Sequence, residues 1–247
     1  MYLTAKGLVL RVTAYNDTDA MLTVLTDTCG LLSLRAKGVR RKNSPMSASC
    51  QLLVFSEFSI FEYRGMYSVN EASTIELFPE LRRDLVNLSL GAYFAQVTEA
   101  VSQEDLNDPA VLSLILNCLY ALSKLNLSPE LVKAVFELRC ACQAGYMPEL
   151  YGCTGCGEPF PDRIDINRGI LECGRCRNGE YNGIRMPLTV GALEAMRYIC
   201  SCDDKKLFGF QIGEENLRCL SQIAESYLMT QLERGFSTLD FYKSLLL

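Results

Sequence analysis

Two cysteine pairs, Cys153-x2-Cys156 and Cys173-x2-Cys176, stand sixteen residues apart in a chain of 247 residues. No other feature restricts the fold of this sequence as strongly. A C-x2-C pair closes into a tight turn that presents two thiolates in one direction, and two such turns complete a tetrahedral S4 site with Zn–S bonds of about 2.3 Å. Gly155 and Gly157 serve the first turn and Gly174 lies inside the second, while Phe160 to Leu171 between them suits a β-hairpin. The expectation is one structural Zn2+ per chain on Cys153, Cys156, Cys173 and Cys176, within a zinc ribbon over about residues 150–186.

Competing readings of these cysteines are weaker. A redox dithiol or four unrelated buried thiols fit poorly with polar, glycine-rich surroundings. A zinc deaminase is the sharper rival, because Cys156-Gly157-Glu158 followed by Cys173-x2-Cys176 imitates the cysteine form of that signature. Glu172 stands where the deaminases have proline, the gap is short, and Cys153 would fill the position that an attacking water needs. The chain has no histidine, the commonest general base near neutral pH, and no GxxxxGK[ST] loop for nucleotide hydrolysis. The expectation is a protein without enzyme activity.

The other eight cysteines, Cys29, Cys50, Cys118, Cys140, Cys142, Cys200, Cys202 and Cys219, sit mostly among apolar neighbours and read as small buried hydrophobes. Twelve cysteines without a secretory signal point to a reducing compartment, where metal binding rather than disulfides explains paired spacing. The longest uncharged run, Pro109 to Ser123, is too short to span a bilayer. A cytoplasmic protein with no membrane partner is expected.

From Tyr2 to Leu77, short apolar alternations are broken by turn signals at Asn16-Asp17, Asp27–Gly30, Lys42–Pro45 and Arg64-Gly65. Five strands fit, near 4–14, 20–27, 31–37, 51–63 and 66–76, which suits a small OB-type barrel. After Pro79 helical signals take over: residues 81–103, then Asp108 as N-cap with Pro109 at N1, then Ser128 with Pro129. Leu131, Val135, Leu138 and Cys142 share a helix face that Gly145 ends; Leu193, Met196 and Cys200 mark a later helix, and Leu217, Leu220, Ala224, Tyr227 and Leu228 the last. The expected fold is α+β, an OB-fold barrel over 1–80 followed by a helical domain over 81–247 that carries the ribbon.

The net charge of −5 looks wrong for a nucleic-acid binder. Charges more than about 8 Å apart are screened at physiological salt, however, so local density matters more than the sum. Between Asp27 and Glu57 no acidic residue occurs, and Arg35, Lys37, Arg40, Arg41 and Lys42 crowd into eight positions around Gly38. Such a segment can fan its side chains along a phosphate backbone. Tyr15, Phe58, Tyr63 and Tyr67 could add base stacking, but each reads more simply as barrel core, and none is nominated. If the basic segment is not the contact, the arginines by the cysteines, Arg168, Arg175 and Arg177, are the alternative.

Three stretches resemble the bacterial RecO recombination-mediator family: KGLVLRVTAYNDTDAMLTVLT near the N-terminus, AKGVRRKNS from Ala36 to Ser44, and FELRCACQAGYMPELYGCTGCG from Phe136 to Gly157. The resemblance runs through the chain in order. It implies a non-enzymatic protein that binds single- and double-stranded DNA and anneals complementary strands coated with single-stranded-DNA-binding protein. It further implies that RecR joins it in helping to load RecA, with RecF involved indirectly, and that the acidic tail of the single-stranded-DNA-binding protein docks in the helical domain. Lys37, Arg40, Arg41 and Lys42 match the family's basic DNA-contacting segment, and the four cysteines match its zinc ribbon. Asn43 to Met46 is less basic than the family pattern. A protein-binding zinc-ribbon adaptor without DNA contacts is the alternative.

Overall fold

A computed structural model describes residues 1–103, 108–176 and 182–246. It divides into two compact units, Met1–Leu125 with Phe236–Leu247, and Asn126–Gly235.

The first unit opens with five strands, β1 (Tyr2–Ala14), β2 (Ala20–Thr26), β3 (Gly30–Ala36), β4 (Phe55–Tyr63) and β5 (Met66–Glu76). They close into a barrel in the order β1-β2-β3-β5-β4, with β3 and β5 parallel and the other pairs antiparallel. This is the OB-type arrangement that the strand count implied. Alternation explains the core: Val9, Leu22, Val24, Leu34, Phe58 and Ile60 point inward and are fully buried. Each such side chain contributes about 1.5–3 kcal/mol by leaving water.

The fourth strand begins at Phe55 rather than near residue 51. Leu53 adopts φ 60°, which no strand accommodates, and the stretch before it is a chain of turns closed by Arg41 N–H to Gly38 O, Ser44 N–H to Arg41 O and Ser47 N–H to Ser44 O. The first long helix likewise starts later than residue 81. A short 3-10 turn at Pro79–Arg83 precedes it, and Asp84 accepts from the N–H groups of Val86 and Asn87 to open α1 (Leu85–Val101). At α2 (Pro109–Ser123) the Asp108 carboxylate caps Ala110 and Val111, as the Asp-Pro pair requires. A short helix that periodicity did not reveal, α6 (Ser237–Ser244), packs on α1: Thr238 Oγ1 donates to Gln96 Oε1 at 2.5 Å, and the rings of Tyr93 and Phe236 meet edge to face at 5.9 Å.

The second unit is built on α3 (Pro129–Gln143), α4 (Val190–Ser201) and α5 (Glu214–Gln231), with a small sheet of β6 (Arg163–Asp165), β7 (Ile170–Glu172) and β8 (Arg185–Pro187) in the order β7-β6-β8. Ser128 caps α3 through Leu131 N–H, and Gly145 at φ 93° follows its end. β6 and β7 form the expected hairpin; β8 is a third strand too short to leave a periodic signal. Leu193, Met196, Leu220, Ala224, Tyr227 and Leu228 are buried, and Leu217 is half-buried. Between α3 and α5, buried Lys133 bridges Glu137 at 2.9 Å and Glu225 at 2.8 Å. Among the cysteines outside the paired array, Cys50, Cys118, Cys140 and Cys200 are buried, whereas Cys29, Cys142, Cys202 and Cys219 keep partial exposure. Among the described residues no helix is long and apolar enough to cross a membrane.

Candidate nucleic-acid interface and metal centre

The basic segment leaves the end of β3 and is anchored before it reaches solvent. β2 begins next to Asp19, and the β2–β3 register sets Met21 opposite Arg35. Asp19, only 7% exposed, therefore meets Arg35, whose Nη2 donates to its carboxylate at 2.8 Å. The same carboxylate accepts from the Gly38 N–H at 2.8 Å and from Thr18 Oγ1 at 3.0 Å. The Gly38 hydrogen bond and then the Arg35 guanidinium hold the Asp19 carboxyl well below the usual carboxylate range, against the opposing effect of burial.

Gly38 itself sits at φ 66°, the left-handed region that glycine enters without strain. Arg40 N–H then donates to Thr18 O at 2.9 Å, and the Arg40 guanidinium reaches Asn16 O. With Val39 buried beneath them, Lys37, Arg40, Arg41 and Lys42 all stand exposed in one short stretch. Arg35 differs. Asp19 engages its guanidinium, which lies 4.7 Å from the Tyr15 ring centroid.

Beside this segment a cleft of about 670 Å³ runs over the outer face of β3 and β5. Tyr15 at the β1–β2 turn and Tyr63 with Met66 at the β4–β5 turn form its edges, and Arg35, Lys37 and Tyr67 line it. Of the four aromatics read as core, Phe58 is completely buried, but Tyr15 and Tyr63 are 57% and 53% exposed and Tyr67 is half-buried. Both exposed rings sit at or just beyond the end of a strand, where the inside–outside alternation no longer governs them.

In the second unit the four cysteine sulfurs converge, all within 4.8 Å of one another. A tetrahedron with Zn–S bonds of about 2.3 Å spaces its sulfurs about 3.8 Å apart, and Cys156 and Cys173 Sγ lie at 3.7 Å. Each knuckle closes by a main-chain bond, Gly157 N–H to Cys153 O and Cys176 N–H to Cys173 O. A Cβ on Gly155 would lie 2.9 Å from Cys176 Cβ and 3.1 Å from its sulfur, so the first knuckle needs glycine there. Burial opposes ionisation of Cys153, but N–H groups of Cys173, Gly155 and Cys156 overcome it and draw the thiol down to about 6. Hydrogen bonds shared with Cys156 and Cys173 push Cys176 up to about 12. Four thiolates so close together need a compensating cation, and an all-sulfur donor set favours a soft or borderline one. The cluster could hold a metal ion.

Sequence reasoning missed the residue that braces the first knuckle. Arg197 of α4 donates to Leu150 O at 2.7 Å, Tyr151 O at 3.2 Å and Pro159 O at 2.7 Å, gripping the chain on both sides of Cys153 and Cys156. Arg175 is exposed and faces Glu158 at 3.4 Å, and Arg168 lies 4.0 Å from Asp165. Arg177 lies outside the described residues.

A family model described as "Recombination protein O N terminal" matches residues 1–78, and one described as "Recombination protein O C terminal" matches residues 82–240. The chain belongs to the RecO family. A relative named DNA repair protein RecO from Acetivibrio thermocellus is 33% identical over 99% of this chain and 97% of its own length. Proteins of the same name from Alkaliphilus metalliredigens and Caldicellulosiruptor bescii are 28% and 31% identical, covering 99% and 96% of this chain and 100% and 96% of themselves. The N-terminal RecO match ends two residues beyond β5, and the C-terminal RecO match takes in α1 through the cysteine cluster to α5.

Proposed function

We propose that this chain is a DNA repair and recombination mediator without enzyme activity. It binds single- and double-stranded DNA through the barrel, anneals complementary strands coated with single-stranded-DNA-binding protein and, with RecR, helps load RecA. Residues 1–80 serve as the DNA-binding module and 81–247 as the domain for protein partners, including the tail of the single-stranded-DNA-binding protein. The observation that carries the reading is the anchored basic segment, four exposed cations set side by side on a rigid barrel edge. Lys37, Arg40, Arg41 and Lys42 take phosphates by charge, and Arg35 orients the segment from its place between Asp19 and Tyr15.

Cys153, Cys156, Cys173 and Cys176 hold one Zn2+, and its chemistry there is structural. Four protein sulfurs fill a tetrahedral shell and leave no position for a reacting water, which argues against hydrolytic or deaminase chemistry. Around the cysteines, Tyr151 is 96% exposed, and Met147 and Phe160 are exposed as well. Such a surface favours protein contacts for this unit, beside the DNA contacts of the barrel.

The deciding experiment is annealing of two complementary oligonucleotides precoated with the cognate single-stranded-DNA-binding protein, in buffer without ATP. Acceleration by the purified chain supports the proposal. No acceleration, with salt-insensitive binding of protein partners alone, would favour the adaptor reading.

A further inference from the structure

We propose that Cys142 and Cys200 form a modification site for hydroperoxides, a thiol pair that oxidises to a disulfide and closes the neck of the loop carrying the cysteine cluster. Their sulfurs lie 3.5 Å apart in an S–H···S hydrogen bond between α3 and α4. The two residues are 58 positions apart in sequence, and the segment between them holds both cysteine knuckles and all three strands of the small sheet. Cys200 is only 8% exposed, whereas Cys142 keeps partial exposure, so a small oxidant reaches one sulfur and the other waits behind it.

Arg139, one turn before Cys142 in α3, sets the geometry. Its Nη1 donates to Ile199 O at 3.1 Å and Cys200 O at 3.0 Å, and its Nη2 to Asp204 Oδ1 at 3.1 Å, which pins the end of α4 beside α3. A disulfide needs its sulfurs at about 2.05 Å, so these two must close by roughly 1.5 Å while Arg139 holds the helices in place. The hydrogen bond shared with Cys200 draws the Cys142 thiol down against burial, and the Arg139 guanidinium adds to the effect. The same hydrogen bond, and then burial, push the Cys200 thiol up. Because the thiolate is the nucleophile toward a peroxide, the roles divide: Cys142 attacks and Cys200 resolves.

In the first step the Cys142 sulfur attacks one peroxide oxygen. The O–O bond breaks, the sulfur becomes a sulfenic acid, and the other oxygen takes up the thiol proton and leaves as water or an alcohol. The Cys200 sulfur then attacks the Cys142 sulfur: the S–S bond forms, the S–O bond breaks, and hydroxide leaves with the Cys200 proton as water. Two thiols give up two electrons and the hydroperoxide accepts them. A thiol reductant reverses the change by exchange. Where cellular thiols keep cysteines reduced, such links are transient and redox-sensing. Once closed, this one ties the two roots of the loop whatever the state of the four clustered sulfurs, and it does so three residues beyond Arg197, which grips the first knuckle.

The test treats the full chain, as purified, with hydrogen peroxide in small molar excess and then alkylates the remaining thiols. Mass spectrometry of a digest should find the peptides of Cys142 and Cys200 linked. The link should be absent from Cys142→Ser and Cys200→Ser and kept in Cys140→Ser and Cys202→Ser, whose sulfurs lie close by in sequence. The thermal midpoint of the oxidised protein should rise by about 5–15 °C, as expected when a loop of this size is closed, and fall back with dithiothreitol. Should a serine variant fail to fold, fragmentation of the linked wild-type peptides assigns the two sulfurs directly. Oxidation confined to the four clustered cysteines would overturn the inference. So would a link through Cys140 or Cys202, or a Cys142–Cys200 link that leaves the midpoint unmoved.

Discussion

In the barrel, positive charge rides on a turn-rich segment that Asp19, Thr18 and Asn16 fasten to a hydrophobic core running through five strands. In the second unit, sulfur atoms that could hold a metal ion sit on two knuckles flanking strands of three residues each, supported by Arg197. The first arrangement displays chemistry on a fold that is already stable. The second, with the proposed zinc bound, makes its chemistry part of the fold. Perturbations should therefore separate: changes to the cysteines should cost structure, and changes to the basic segment should cost binding.

The largest effect is expected from Cys173→Ser. Structural zinc contributes about 10–16 kcal/mol in small zinc peptides, against roughly 5–15 kcal/mol for the stability of a whole domain. Elemental analysis should show zinc lost from the variant, and limited proteolysis should show cleavage within residues 150–186 while the barrel stays resistant. Retained DNA affinity would sharpen the contrast, whereas an unfolded barrel would break it.

Next in size is Lys133→Met, which breaks the ion pairs that buried Lys133 makes with Glu137 and Glu225. Breaking a buried ion pair by removing one partner costs about 3–5 kcal/mol. Chemical denaturation should report that loss with the zinc content and DNA affinity of the protein unchanged. This would show that the metal site holds independently of the α3–α5 ion pair.

A smaller effect follows from Asp19→Asn, which weakens the tie to Arg35 and the anchor of Gly38 without touching any exposed cation. Single-strand affinity should fall several-fold, with native circular dichroism. Folding lowers the Asp19 pKa, so its contribution is present above about pH 4 and is lost only as pH falls further. Between pH 6 and 9 the difference between variant and wild type should be constant.

How much of this was legible in advance depended on whether the signal was local. The Asp108-Pro109 and Ser128-Pro129 pairs specify a cap within four residues, and both helices begin there. The cysteine spacing is equally local, and the sulfurs converge as it requires. Asp19 carries no sequence signal of its own, because its meeting with Arg35, sixteen residues away, exists only through the β2–β3 register. Tyr15 and Tyr63 read as core from their apolar surroundings, but both sit where strands end and the inside–outside alternation lapses. Leu53 could not be recognised as a strand breaker, since leucine carries no preference for the positive φ that the turn before β4 imposes on it.

The central claim is that four exposed cations act together as the phosphate-binding patch, and salt dependence measures it most directly. If Lys37, Arg40, Arg41 and Lys42 each neutralise one phosphate of a single strand, log affinity against log salt should have a slope near −3, at about 0.7 per phosphate. The quadruple alanine variant, natively folded, should bind far more weakly with a nearly flat slope, and Cys173→Ser should keep the wild-type slope. A quadruple variant with unchanged affinity and slope would contradict the account and move the DNA contact away from the barrel.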